Sequence, residues 1–214
     1  NNFILADEIN RAPSKVQSAL LEAMAEKQIT IWNKSYQIDS PFIVLATQNP
    51  VEQSWTYKLP EAQLDRFLLK TKVWYPHRNE EIEMYKKLNF KNNTEINTVL
   101  NKKDLEFIQN VVEEIYVSDN IFEYVYNIIE ASRNTQKYDL TELNDYILYW
   151  ISPRWWLALI NASKVIALLN WRTFVIPEDV KAIAIDALAH RIVLTYEALA
   201  SDITPEEVIS KIIS

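Results

Sequence analysis

Two unbroken apolar runs stand near the start of the chain, and each ends abruptly in polar groups. Phe3-Ile4-Leu5-Ala6 runs into Asp7-Glu8, and Phe42-Ile43-Val44-Leu45-Ala46 runs into Thr47-Gln48-Asn49. Continuous rather than alternating apolarity predicts central strands of a parallel sheet covered on both faces. Ligands of such sheets bind beyond the carboxyl ends of the strands, where Asp7, Glu8 and Asn49 fall. Between the runs, Ser14 caps a predicted helix to about Lys27, with Val16, Leu20, Ala23 and Met24 on one face. Gln28–Ile31 and Ser35–Ile38 alternate with period two around Trp32-Asn33-Lys34, a hairpin whose turn lacks the usual glycine. Asn49 to Lys58 reads as a loop, Pro60 starts a short helix over Glu61 to about Phe67, and Leu68–Val73 reads as a strand.

From Asn79 onward helical spacing dominates, over 79–90, 102–116 and 119–134. A helix capped by Ser152-Pro153 runs to Asn170, and another runs from Pro177 to about Arg191. The last opens with a capping box at Thr204-Pro205-Glu206-Glu207. The expected architecture is α/β: part of a parallel-sheet domain over residues 1–76, then an all-α domain over 77–214.

Composition narrows the partners. A net charge of −7 is a poor match to nucleic acid, and no apolar stretch reaches the length of a membrane span. No signal-peptide pattern opens the chain, and the absence of cysteine permits a reducing, cytoplasmic setting.

An acid at a strand end can hold Mg²⁺ through water while its neighbour polarises an attacking water, so Asp7-Glu8 suits nucleotide hydrolysis. A solvated strand edge is the plainer alternative for that pair alone. Asn49 suits either a water-orienting role or a turn before Pro50. Arg66 has Asp65 and Glu61 at hand for a local salt bridge, and Arg154 could be a capping or surface arginine. His77 and His190 have no second ligand at metal spacing and read as structural. The aromatic run Phe122-Glu123-Tyr124-Val125-Tyr126 reads as helical core.

Taken together, these segments resemble the MoxR branch of the AAA+ ATPases. Asp7-Glu8-Ile9-Asn10-Arg11-Ala12-Pro13 is similar to its Walker B segment, and Ala46-Thr47-Gln48-Asn49-Pro50-Val51-Glu52-Gln53 to its sensor 1 strand end. Leu59 to Phe67 resembles its arginine-finger helix, and Ser152-Pro153-Arg154 its sensor 2 motif. The likeness continues through Tyr196-Glu197-Ala198 to Ile203-Thr204-Pro205.

The resemblance implies the C-terminal part of a P-loop NTPase core followed by a helical lid, using ATP and Mg²⁺. It gives Asp7 the metal, through water, and Glu8 the role of base. Asn49 positions water or senses the γ-phosphate, and Arg66 acts on a neighbouring subunit's nucleotide. Arg154 reaches the nucleotide from the lid. Arg11 could contact an adjacent subunit, although a plain surface position suits it better. The 28–38 hairpin becomes a pore-facing insertion or, more simply, an edge hairpin. A hexameric ring is implied, with client proteins to remodel or a metal cofactor to insert, often beside a von Willebrand factor A-domain protein. The alternatives are a nucleic-acid motor, disfavoured by the acidic balance, and a non-catalytic interaction module.

Such an ATPase needs a glycine-rich phosphate loop, yet the chain has no glycine, where about 7% usage predicts roughly fifteen. The reading is a partial sheet whose Walker A half lies outside this sequence, a chain inactive alone, with apolar sheet surface left uncovered. The seven tryptophans give a second expectation. Trp32, Trp55, Trp74, Trp150, Trp155, Trp156 and Trp171 fall where related sequences carry glycine or small residues, none on a periodic apolar face. That pattern suggests UGA codons meaning glycine but translated as tryptophan. UGG at the seven codons would end the idea.

Overall fold

The computed structural model describes residues 2–49, 59–89, 97–150 and 154–214. The first strand, β1 (Phe3–Ala6), leads through a 3-10 turn at Ile9–Arg11 into helix α1 (Ser14–Glu26). A hairpin of β2 (Gln28–Ile31) and β3 (Lys34–Gln37) follows, then β4 (Ile43–Ala46). β4 lies parallel to β1 in the register Phe3↔Ile43 to Ala6↔Ala46. The predicted strands and their parallel pairing are therefore present.

Their predicted burial is not. Phe3, Leu5, Ile43 and Leu45 are 56%, 68%, 40% and 60% exposed, whereas their alternating neighbours Ile4, Ala6, Val44 and Ala46 are half-buried. Successive side chains of a strand point to opposite faces, so only one face of this pair is covered. The open apolar face agrees with the reading of a partial sheet. On the covered side Ile9, Leu21 and Leu59 form a small core, joined by Leu20, Met24, Ala46, Leu64 and Phe67. Val16, expected on the same helix face, is 53% exposed, and Pro13 rather than Ser14 takes the cap position.

The short helix α2 (Glu61–Leu64) starts after Pro60 as expected. The strand expected over 68–73 is absent: no described strand flanks this stretch, and backbone without a partner edge cannot form a ladder. It runs instead along the helical part, where the Lys70 amide donates to the Asp186 carbonyl at 2.9 Å and Lys72 pairs with Glu206 at 2.6 Å.

The helical part comprises α3 (Arg78–Asn89), α4 (Lys102–Glu114), α5 (Asp119–Arg133), α6 (Arg154–Leu169), α7 (Pro177–Leu188), α8 (Tyr196–Ala200) and α9 (Pro205–Ile213). The capping box forms as predicted, with the Glu207 amide donating to Thr204 Oγ1 and the Thr204 amide to Glu207 Oε2. Val125, Leu159, Val180, Leu188 and Val208 are fully buried where α5, α6, α7 and α9 meet. Phe122 and Tyr124 pack against this core, while Tyr126 faces outward at 55% exposure. The all-α expectation needs one correction. β5 (Ile147–Trp150) and β6 (Ile192–Leu194) form an antiparallel pair, too short to show an alternating pattern in the sequence.

Trp32 and Trp171 have φ of 56° and 57°, the left-handed region that favours glycine, and are 94% and 93% exposed. Trp171 stands at the C′ position of a Schellman motif: its amide donates to the Leu168 carbonyl, and the Arg172 amide to that of Ala167. The left-handed conformation costs a non-glycine residue about 1–2 kcal/mol, and a solvated ring returns little of it. Trp171→Gly is therefore expected to raise the melting temperature by a few degrees. A thermal scan showing no rise counts against glycine as the fitting residue. Trp155 and Trp156 depart from the expectation. Trp155 is 1% exposed inside the helical core, and Trp156 stacks on Phe122 with centroids 5.4 Å apart. Trp55 and the Ser152-Pro153 cap lie outside the described residues.

Candidate active site

Parallel pairing of β1 with β4 delivers Asp7, Glu8 and Asn49 to one sheet edge, as the apolar runs predicted. Thr47 organises that edge: its hydroxyl donates to Asp7 Oδ1 at 2.5 Å and accepts from the Glu8 amide at 2.8 Å. Backbone bonds from Thr47 to Ala6 and from Ile9 to Thr47, both 3.0 Å, lock the two strand ends together. Glu8 itself is left-handed, with φ 49° and ψ 50°, a sparsely populated conformation for a non-glycine residue. Buried Gln17 on α1 braces the turn by donating its Nε2 to the Ile9 carbonyl at 3.1 Å. Neither Thr47 nor Gln17 stood out in the sequence. A threonine after an apolar run and a glutamine inside a helix are ordinary until the partner strand is in place.

Glu8 pairs with Arg11 at 3.1 Å, so Arg11 meets an acid of its own chain. The pair is about half exposed, which makes it weak. Asn49 is half-buried, and its carbonyl accepts from Asn10 Nδ2 at 3.4 Å. Asp7 is exposed, and one presented carboxylate suits Mg²⁺, which keeps several waters and takes few protein ligands. Among the described residues no group of three or more His, Cys, Asp or Glu gathers, so an ion at Asp7 would depend on water and phosphate.

Arg66 lies in the turn after α2 and is exposed. Its two local candidate partners are taken. Asp65 accepts from Arg191 Nε at 2.9 Å in an ion pair whose side chains are 5% and 3% exposed, and Glu61 Oε2 accepts from the Tyr149 hydroxyl at 2.7 Å. The local salt bridge open to Arg66 in the sequence does not form. Arg154 is the first residue of α6, and the position of its side chain lies outside what is described.

His190 is buried, and its Nε2 faces the Phe67 carbonyl at 3.1 Å. Burial, reinforced by the neighbouring Arg191 charge, lowers its pKa from 6.5 to about 4. The neutral ring then carries its proton on Nε2 and donates it to that carbonyl. A depressed histidine contributes stability fully above the unfolded pKa of 6.5, and loses it as pH falls through about 4. The loss is on the order of 3 kcal/mol. His190→Gln cannot titrate and is expected to flatten unfolding free energy against pH between 6.5 and 4. Denaturant unfolding at several pH values would reject this if the two proteins' curves ran parallel.

Residues 1–69 match the ATPase family associated with various cellular activities (AAA), and residues 141–212 match the AAA lid domain. Fold and site thus define an AAA+ ATPase core segment with its lid. A crystal structure of a candidate ATPase from Cytophaga hutchinsonii superposes with a TM-score of 0.94 at 44% identity, covering 99% of this chain and 64% of that one. Chaperone MoxR1 of Mycobacterium tuberculosis is 42% identical over 212 residues, which span 99% of this chain and 56% of the relative. YeaC of Bacillus subtilis is 41% identical over 214 residues, spanning 100% of this chain and 64% of YeaC. The chain belongs to the MoxR family of AAA+ ATPases.

Proposed function

We propose that the intact gene product binds and hydrolyses ATP between the subunits of a ring, built from an ATPase core ending near residue 76 and a lid over 77–214. The observation that carries this is the sheet edge where Thr47 presents Asp7 and Glu8 together. Asp7 would hold Mg²⁺ through water, and the ion when bound neutralises charge on the transferring phosphoryl group. Glu8 takes the proton of the attacking water. Its exposed pair with Arg11 gives way to solvent easily, so the carboxylate is available. Asn49, anchored at the adjacent strand end, orients that water. Arg66, with Asp65 and Glu61 otherwise engaged, extends toward a neighbouring subunit's γ-phosphate, and Arg154 reports phosphate state to the lid.

The ring is hexameric and cytoplasmic, and the β2–β3 hairpin faces its pore. Its work is chaperone-like: remodelling a partner complex or inserting a metal cofactor, with a von Willebrand factor A-domain protein as a partner. The 214-residue chain alone has no glycine and hence no phosphate loop, and is inactive by itself. The test is ATP turnover by the intact gene product. Hydrolysis abolished by Glu8→Gln supports the reading, and turnover indifferent to that change overturns it.

A further inference from the structure

We infer that Arg191 is a positioning residue for Arg66: a guanidinium buried at the lid surface fixes the backbone on both sides of the arginine finger. The inference rests on the reading of Arg66 as the group that acts on a neighbouring subunit's nucleotide.

α2 has only four residues and cannot hold a direction by its own hydrogen bonds. Its orientation must come from packing, and Arg191 supplies it. Nε donates to Asp65 Oδ1, and Nη2 to the carbonyls of Asp65 at 3.2 Å and Phe67 at 2.8 Å. Nη1 donates to the carbonyls of Leu68 at 3.3 Å and Ala187. All five donors of the planar fork are used, a pattern a lysine cannot reproduce. The accepting groups on the finger segment belong to residues 65, 67 and 68. The clasp therefore grips the chain around Arg66 and leaves the Arg66 side chain in solvent.

A buried ion pair is poor evidence of a gain in stability, since an apolar pair of similar volume often does as well. What the fork adds is geometry. Two further bonds hold the same segment, from His190 to the Phe67 carbonyl and from Tyr149 to Glu61. Tyr149 sits opposite Val193 in the β5–β6 pair, and Arg191 immediately precedes β6. One small sheet thus carries Tyr149 and follows directly on the turn that holds His190 and Arg191, and the chain leaving β5 leads to α6 and Arg154. A lid displaced by its own subunit's nucleotide state takes the finger with it, changing hydrolysis next door.

The test uses the intact gene product in a double-mutant cycle. Arg191→Lys keeps the charge and loses the fork. It is expected to lower kcat by about 10- to 100-fold, the cost of a displacement near 1 Å, with KM for ATP within about twofold. Combined with Arg66→Ala, it should add nothing to the loss caused by Arg66→Ala alone. Mixing Arg191→Lys subunits with Glu8→Gln subunits should restore turnover above that of either variant alone. In such rings an intact finger meets an intact site. Multiplying losses in the double variant, or no recovery on mixing, would overturn the positioning role while leaving Arg66 in place. Unchanged turnover in Arg66→Ala would instead remove the reading of Arg66, and with it this one. If Arg191→Lys does not fold, Asp65→Asn replaces it in the same cycle with the same expectations.

Discussion

Replacing Arg66 with alanine in the intact gene product is expected to lower ATP turnover by about 10³–10⁵-fold, the range over which a trans-acting arginine stabilises the transferring phosphoryl group. The expectation follows from where its neighbours point. An exposed arginine beside two acids would ordinarily rest against one of them, yet Asp65 is buried against Arg191 and Glu61 accepts from Tyr149. The side chain makes no hydrogen bond or ion pair among the described residues, so its loss should leave this chain's own packing intact. The measurement is turnover at saturating ATP together with the melting temperature. A large fall in rate with unchanged melting supports the role. Equal turnover sinks it.

Glu8→Gln is expected to lower the same rate by about 10²–10⁴-fold, the usual contribution of a positioned base. Glutamine preserves size and the backbone bond from the Glu8 amide to Thr47, so Asp7 stays oriented and nucleotide binding should survive. What disappears is the ability to accept a proton from water, and with it the ion pair to Arg11. Because that pair is about half exposed, its loss should change stability by less than about 1 kcal/mol. Binding measured with a fluorescent nucleotide and hydrolysis measured in steady state separate the two effects. A variant that loses affinity as much as rate would show Glu8 to be a binding group rather than a base.

Much of this protein was legible along the chain because the decisive signals are local. The apolar runs into Asp7-Glu8 and Thr47-Gln48-Asn49 gave two strands and their polar ends. Thr204 and Glu207 gave a helix start through a reciprocal cap spanning three residues. The turn at Trp32 and the helix end at Trp171 gave positions that favour left-handed backbone, which both residues adopt. Errors arose where a residue's state depends on what lies opposite. Phe3 and Leu5 read as buried because their neighbours are apolar, but one face of their sheet is open. Leu68 to Val73 read as a strand, but no strand edge among the described residues flanks it. Trp155 read as a misplaced ring, yet it is enclosed by the helical core.

The two strands, the helix boundaries, the acids at the sheet edge and the family were thus determined by the sequence itself, through patterns spanning a few residues. Only the tertiary structure decided how those groups are held. Thr47 reaches Asp7 across 40 residues, Tyr149 reaches Glu61 across 88, and Arg191 reaches Asp65 across 126. No local pattern marks an arginine that will be buried apart from one that stays in water. The difference is made by packing, when the turn after a four-residue helix docks against the lid and brings acceptors to four of the five donors the side chain has.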